Sequence, residues 1–331
     1  MNAEQEAPSV AILTVNYNGA GHIADFLASL RAVTYPNWVL VVVDNASSDG
    51  SPEEIARLFP AAVLIRNEDN LGITGGHNAG IRYCLEHGFD YVLFLNNDTV
   101  VEAHFLDRLL EAADWRTMVA PKVYLHELGP DYLVSSLPAD RTMGAPKAYL
   151  HGRRLLLDDT VGDFDWWRGV WRGWLYGKPE PPGFDRRQPN MASLCCLLVP
   201  VGVFHDAGLM DERFFMYYDD FDFVRRAKAA GYRLRLKADA VIYHRKAAAS
   251  GGVDSPFKLY YATRNRLYLM RKHLPVWRFA LFLTYFLATR SAYLLALAAR
   301  GRWRQWRATL RGVTDYFRGR LGRTYQVADF R

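Results

Sequence analysis

Tyr217-Tyr218-Asp219-Asp220-Phe221-Asp222 packs three carboxylates into four residues, and Asn96-Asn97-Asp98 sets another beside two amides about 120 residues earlier. Carboxylates this close repel one another, so a fold keeps them only where a cation, a helix N-terminus, basic partners or a reaction that uses a base offsets the repulsion. Asp98, after an apolar run, suits a hard cation such as Mg²⁺ or Mn²⁺, which takes one or two carboxylates plus phosphate oxygens. Asp219 and Asp220 are surrounded by Phe214, Phe215, Tyr217, Tyr218 and Phe221, a setting that strips water and raises a pKa toward general-base range. Asp222 has a plainer explanation, since Arg225 and Arg226 follow it at i+3 and i+4 on an expected helix. Asp44 also ends an apolar run, where a carboxylate either caps a turn or accepts the imide N–H of uracil or thymine. A lone His244 is more often structural than a ligand, and its case rests on the company of Asp98. Each cluster taken alone is also explained by an Asx turn, an N-cap or an acid-rich first helical turn.

The elements that must position these residues follow from periodicity. Apolar runs at 10–15, 38–43, 62–66 and 91–95 read as buried strands, and helical patterns at 23–30, 52–58 and 74–87 alternate with them. That alternation predicts an α/β fold with a mostly parallel sheet covered on both faces. Such sheets bind ligands beyond the carboxyl ends of their strands, where Asn16, Asp44 and Asn96-Asn97-Asp98 all fall. Between about 125 and 190 the periodicity fails and Gly, Pro, Trp and Arg accumulate, as in a functional insertion. A strand at 193–199, a helix at 219–230 closed by Gly231 and a strand at 240–243 leading to His244 complete the reading.

Half the residues are apolar, enough for one large domain plus an appendage. The net charge of +6 conceals an asymmetry: residues 264–331 hold fifteen Lys or Arg against Asp315 and Asp329, a balance of +13, whereas the rest carries −7. The polar start, residues 1–9, has no apolar stretch of a secretory leader, so a cytoplasmic protein is expected. Cys84, Cys195 and Cys196 then read as buried thiols.

Together these residues resemble a family 2 glycosyltransferase of the GT-A fold, rhamnosyltransferase-like, across roughly residues 9 to 275. The motifs carrying the resemblance are Thr14-Val15-Asn16-Tyr17-Asn18, Val43-Asp44-Asn45-Ala46-Ser47-Ser48-Asp49-Gly50, Asn70-Leu71-Gly72 with Gly75-Gly76-His77-Asn78-Ala79-Gly80, Leu95-Asn96-Asn97-Asp98, Gly208-Leu209-Met210-Asp211-Glu212-Arg213-Phe214-Phe215, the acidic knot and Tyr261-Ala262-Thr263-Arg264-Asn265. The resemblance implies an inverting transfer of a sugar from a dTDP- or UDP-linked donor, rhamnose favoured, to a glycan hydroxyl. It places Thr14, Asn16, Tyr17 and Asp44 at the nucleoside, Asn70, Gly75 and Asn78 around the closing donor site, and Asn96 and Asn97 at the ribose or behind the metal ligands. Asp98 and His244 would hold Mn²⁺ or Mg²⁺, Asp220 would be the catalytic base, and Asp219, Asp222, Tyr218 and Trp167 would face the acceptor. Two departures stand out: Asn96 opens a motif that usually begins with Asp, and Asp219 replaces the usual Glu. Ser193-Leu194-Cys195-Cys196 also stands where relatives carry a small Ser-Gly-Ala-type turn. The implied division is a GT-A domain over 1–263, with a nucleotide-binding half at 9–124, an insertion at 125–190 and a catalytic half at 191–263, followed by a basic helical tail, 264–331.

Residues 279–299 are long enough to span a bilayer, but Arg290 stands at the centre. Nine Leu or Phe, at about −0.3 to −0.6 kcal/mol each, roughly cancel one central Arg at about +2.5 to +3.5 kcal/mol. Basic flanks interleaved with Trp277, Trp303 and Trp306 instead suggest a segment lying on an anionic membrane at the inner face of the cytoplasmic membrane, next to a lipid-linked acceptor. Helix-mediated homo-oligomers are the alternative use. No nucleic-acid-reading motif is present, and residues 15–19 lack the basic loop that a sugar nucleotidyltransferase requires for a triphosphate. A catalytically silent membrane-bound scaffold remains open at this stage.

Overall fold

The computed structural model describes residues 7–126, 150–151, 154–158, 160–245, 255–325 and 329. Lys246 and the Gly251-Gly252 pair after His244, and residues 127–149 of the insertion, lie outside them.

The first half alternates as its periodicity requires: β1 (Val10–Asn16), α1 (Ile23–Leu30), β2 (Trp38–Asp44), α2 (Ser51–Leu58), β3 (Val63–Arg66), α3 (Gly72–Glu86) and β4 (Tyr91–Leu95). Then follow β5 (Thr99–Val101), α4 (Phe105–Glu111), β6 (Thr117–Leu125), β7 (Leu150–His151), β8 (Arg154–Leu155), β9 (Val161–Asp165), β10 (Val170–Gly173), β11 (Met191–Ala192) and β12 (Cys196–Pro200). The chain ends with α5 (Gly202–Asp206), α6 (Asp219–Ala229), β13 (Arg233–His244), α7 (Pro256–His273), α8 (Val276–Ala299) and α9 (Trp303–Phe317).

An eight-stranded sheet runs β3-β2-β1-β4-β12-β6-β13-β5. The first four strands are parallel, while β12 enters antiparallel between β4 and β6, and β5 is antiparallel to β13. The expected parallel sheet is therefore mixed on its far side. Alternate residues of β1 feed opposite cores: Ala11 and Leu13 join one apolar cluster, Val10 and Ile12 the other. Burial on both faces explains why the run reads as unbroken apolar residues. β6 escapes that reading because Pro121 interrupts it, and a proline in a strand sits where a ladder bond is missing. Its partner β13 slips register there, between Lys237 and Val241.

A smaller sheet, β10-β9-β11, arises from the aperiodic insertion and packs through β11 against α6. Helix α7 runs through the expected boundary after residue 263, with Arg264 and Asn265 both fully buried. Residues on both sides of position 263 thus share one helix. Cys84, Cys195 and Cys196 are free, buried thiols, and burial pushes Cys84 up to about 12.

Candidate active site

The register pairs Asn16 with Asp44 at the last rung of β1 and β2, so both side chains reach the carboxyl edge of the sheet together. The Asn16 amide donates to Asp44 Oδ1 at 2.8 Å and to Ser51 Oγ at 2.8 Å. Its Oδ1 accepts from Asn97 Nδ2 at 2.9 Å, and Asn97 Oδ1 lies 3.2 Å from His22 Nε2. Asp44 also takes the Ser47 hydroxyl at 2.6 Å on Oδ1 and the Ser47 amide at 3.0 Å on Oδ2, which leaves Oδ2 one lone pair for a further donor. Tyr17 is exposed beside this network. Thr14 is fully buried, its hydroxyl without a hydrogen-bond partner, so direct nucleoside contact is a role its burial contradicts.

Beyond Asn97, the chain turns at Asp98 toward the end of β13. His244 Nε2 lies 3.3 Å from Asp98 Oδ1, an oxygen that is buried without a hydrogen-bond partner. On its other side His244 Nδ1 meets Asp158 Oδ2 at 2.7 Å. Burial opposes charge on His244, but Cys195, Asp98 and Asp158 outweigh it and raise the imidazole well above its ordinary range. A carboxylate behind one ring nitrogen fixes the imidazole so that the other faces a bound cation. The orphaned Asp98 oxygen and the oriented His244 ring fit a divalent cation once that cation takes the place of the Nε2 proton which the surrounding carboxylates otherwise favour. Among the described residues no group of three or more His, Cys, Asp or Glu side chains forms a closed cage. Mg²⁺ and Mn²⁺ tolerate such an open set, since phosphate oxygens and water complete the shell. Asp158 was invisible to sequence reasoning because it lies in the aperiodic insertion.

The acidic knot starts α6. Phe215, Tyr217 and Tyr218 before it all have left-handed backbone, with φ of 65°, 64° and 71°. Such conformations cost about 1–3 kcal/mol each in non-glycine residues and persist only when neighbours over-determine them. Asn265 does so: its amide donates to the carbonyls of Phe214, Met216 and Tyr217 at 2.8, 2.7 and 3.0 Å, while buried Arg264 donates to Phe214 O at 3.1 Å. The same loop touches the donor side, as Thr74 N donates to Phe215 O at 3.4 Å and Asn45 Nδ2 to Gly72 O at 2.8 Å. One turn into α6, Phe223 packs on Phe94 of β4, with ring centroids 6.0 Å apart. Hydrogen bonds and packing thus join the knot to the edge that carries Asp44 and Asp98.

Within the knot the three carboxylates differ. Asp219 is buried, and burial first, then the neighbouring Asp220, raises its pKa well above the usual range. Asp220 is half-buried, and its Oδ1 accepts the Phe221 amide at 2.8 Å. Asp222 is fully buried and faces away, held by Arg226 at 2.8 Å, Lys272 at 2.7 Å and His273 at 2.7 Å. An acceptor role for Asp222 is corrected by this geometry to that of an anchor between α6 and α7. Asn78 is corrected likewise: its side chain pins Met210 and Glu212 through bonds of 2.8–3.0 Å and has no free edge for a donor. Asn70 Oδ1 caps the Gly72 amide at 2.9 Å, and a Cβ at Gly75 would meet Leu71 Cβ at 2.5 Å, so both shape the start of α3. Tyr218 reaches Gly169 O at 3.5 Å, and Trp167 is exposed under the Arg278 guanidinium. A separate cavity of about 650 Å³, lined by Asp90, Tyr91, Trp115, Arg116 and Tyr232, opens at the amino end of β4 and holds none of these groups.

The family described as Glycosyl transferase family 2 matches residues 9–175. The chain belongs to glycosyltransferase family 2. This glycosyltransferase is 29% identical over 280 residues to the N-acetylglucosaminyl-diphospho-decaprenol L-rhamnosyltransferase of Mycobacterium tuberculosis, covering 81% of this chain and 86% of that protein. It is 23% identical over 280 residues to the dTDP-rhamnosyl transferase RfbF of Shigella flexneri, covering 81% and 82%. Among solved structures it resembles the mannosyltransferase PcManGT of Pyrobaculum calidifontis in complex with GDP-Man and Mn²⁺, with a TM-score of 0.53 at 15% identity over 95% of this chain and 88% of that one. S. aureus TarS 1–349 in complex with UDP-GlcNAc gives a TM-score of 0.53 at 14% identity, covering 93% and 80%. These likenesses make the glycosyltransferase rhamnosyltransferase-like in sequence and GT-A-like in fold.

Proposed function

We propose that this glycosyltransferase transfers a sugar, rhamnose favoured, from a dTDP- or UDP-linked donor to a hydroxyl of a lipid-linked glycan acceptor, with inversion, at the cytoplasmic face of the membrane in cell-surface polysaccharide synthesis. The observation that carries this reading is the hydrogen-bonded run from Asp44 through Asn16 to Asn97, the chain neighbour of Asp98 in the Asp98–His244 pair, on the sheet against which the helix of the Asp219–Asp220 knot is packed. The rhamnosyl donor and the diphospholipid acceptor are supported by the decaprenol-diphospho L-rhamnosyltransferase and the dTDP-rhamnosyl transferase among its relatives, and the divalent cation by the Mn²⁺ complex of the fold neighbour.

Asp44 presents its carboxylate to the nucleoside, and Asn16, fully buried and engaged at both ends of its amide, holds that carboxylate in place. Asp98 and His244 hold the cation, which when bound offsets negative charge on the departing diphosphate. Neighbouring carboxylates with different burial divide the acid and base roles: burial favours the protonated form of Asp219, which relieves the knot of a third charge beside Asp220 and ion-paired Asp222, and half-buried Asp220 takes the proton of the acceptor hydroxyl. As that oxygen bonds to the anomeric carbon, the bond from carbon to diphosphate oxygen breaks and its electron pair leaves with the nucleoside diphosphate. Direct displacement from the opposite face inverts the anomeric centre.

Testing requires a panel of nucleotide sugars with and without Mn²⁺ or Mg²⁺, following nucleotide release and product. Cation-dependent turnover of dTDP-rhamnose or a UDP-hexose is expected. Binding of donors without release under every condition would overturn the enzymatic assignment.

A further inference from the structure

Four arginines gather where the catalytic knot meets α8. Arg266 and Arg290 both sit 5.2 Å from the Phe286 ring centroid, one on α7 and one on α8. Both guanidiniums act electrostatically on Tyr218, the residue before Asp219. Arg225 stacks 3.8 Å over Trp166 and Arg278 4.4 Å over Trp167, on either side of the turn that ends at Gly169. None of the four is ion-paired with a carboxylate among the described residues, and Nε of both Arg278 and Arg290 is buried without a hydrogen-bond partner. Burial and mutual repulsion hold Arg225 and Arg290 below the usual guanidinium range. Aromatic faces offset part of the cost of burying these cations; Arg266 turns Nε and Nη2 to the Arg168 carbonyl and Arg225 reaches His273 O at 3.5 Å, while Nε of Arg278 and of Arg290 stays unused.

Helix α8 explains the direction of Arg290. Phe282, Phe286 and Leu297 are its buried residues, and Arg290 falls on the same stripe, aimed at the protein. The opposite face exposes Trp277, Leu281, Tyr285, Leu287 and Leu295. A cationic pair beside the catalytic loop thus adjoins an apolar face suited to lipid.

We infer that Arg266 and Arg290, supported by Arg225 and Arg278, bind the diphosphate of a polyprenyl diphosphate-linked acceptor. The inference rests on the acceptor class proposed above and adds the residues that select it. Two guanidiniums over one ring match a diphosphate, because planar forks bond phosphate oxygens two at a time. His244, by contrast, is engaged by Asp98 and Asp158 on the sheet edge and by none of the four arginines.

The full-length enzyme is assayed with two acceptors carrying the same sugar, a short polyprenyl diphosphate and an alkyl glycoside. Arg290→Gln and Arg266→Gln are expected to raise KM for the diphosphate acceptor about tenfold to hundredfold, the factor lost with one charged hydrogen bond. KM for the donor should stay within twofold in both variants, a window about the size of ordinary assay scatter and below the factor for a lost hydrogen bond. Parallel shifts with both acceptors, or none with either, overturn the assignment. Arg290→Lys should restore part of the affinity, and Arg290→Gln should not lower Tm, since an unpaired buried charge is removed; a steep fall in Tm without rescue by Lys makes the residue structural and also overturns it. Sedimentation with phosphatidylglycerol vesicles separates the sources of phosphate: loss of vesicle binding with unchanged acceptor KM assigns the arginines to bilayer headgroups and sinks the acceptor site. Should the wild type use no diphosphate acceptor, the acceptor class fails by itself. Calorimetry with inorganic pyrophosphate then judges the arginines independently, with binding by wild type and not by Arg290→Gln in their favour and equal binding against them.

Discussion

At the scale of single residues, chemistry is divided by burial. Asp220→Asn is expected to lower kcat by about 10²–10⁴-fold, the usual range for a lost general base, with donor KM nearly unchanged; steady-state kinetics on both substrates decides it, and a collapse of donor affinity would make Asp220 a binding residue. Asp158→Asn should weaken Mn²⁺ activation about 10- to 100-fold through the orientation of His244, read from the metal dependence of the rate. Asp222 works on stability instead. His273, Arg226 and Lys272 overcome the burial that opposes its charge and hold its pKa below the ordinary value. An acid whose folded pKa is depressed adds stability above its unfolded pKa of 3.8 and loses it as pH falls through the folded value. Acid unfolding monitored by circular dichroism should therefore shift to higher pH in Asp222→Asn, with a loss of about 3–5 kcal/mol at neutral pH for a broken buried pair. That Asp98 follows a buried strand and that Asp219 lies desolvated among aromatic rings was legible in the sequence, because apolar runs and aromatic neighbours are local. Asp158 was not, since nothing near it repeats, and Asn78 misled because a buried amide that pins a distant carbonyl carries the same letter as one that binds a ligand.

At the scale of elements, the sheet positions Asn16, Asp44 and Asp98, and one loop positions the proposed base. Register between β1 and β2 fixes Asn16 against Asp44; the alternation of strands and helices placed both at the carboxyl ends of their strands but did not give the pairing. The loop is held from outside by Arg264 and Asn265 on α7. Asn265→Ala removes the one amide that bonds three carbonyls of a left-handed backbone, so it should lower Tm by several degrees and cut kcat more than donor affinity. Thermal unfolding together with donor titration measures both, and unchanged kcat would show that the loop holds its shape alone. Sequence patterns placed the helix of the knot within a residue of its observed limits, yet gave no warning that its loop leans on residues 264 and 265. Contacts across some fifty positions leave no periodic trace. β6 was missed because Pro121 breaks the strand pattern, and the irregularity of β13 opposite it is a tertiary accommodation.

At the scale of the whole molecule, charge and apolar surface separate. Residues 264–331 carry +13 against −7 elsewhere, and α8 turns apolar side chains outward, Leu295 being 73% and Leu281 57% exposed. Peripheral attachment to anionic membrane explains this face and stays within the proposal, with a second copy of the chain as the competing cover. Leu281→Gln combined with Leu295→Gln should reduce sedimentation with phosphatidylglycerol vesicles severalfold, and wild-type binding should weaken as salt rises. A change in oligomeric state without a change in vesicle binding would favour the second copy. All of these levels converge on one bound donor shared by the cation pair and the knot. Calorimetric titration of the preferred nucleotide sugar in Mn²⁺, on wild type, Asp98→Asn and Asp220→Asn, tests that directly: Asp98→Asn should lose the Mn²⁺-dependent part of the affinity, and Asp220→Asn should bind as wild type yet fail to turn over. Donor binding by Asp98→Asn that is indistinguishable from wild type in Mn²⁺ would contradict the account.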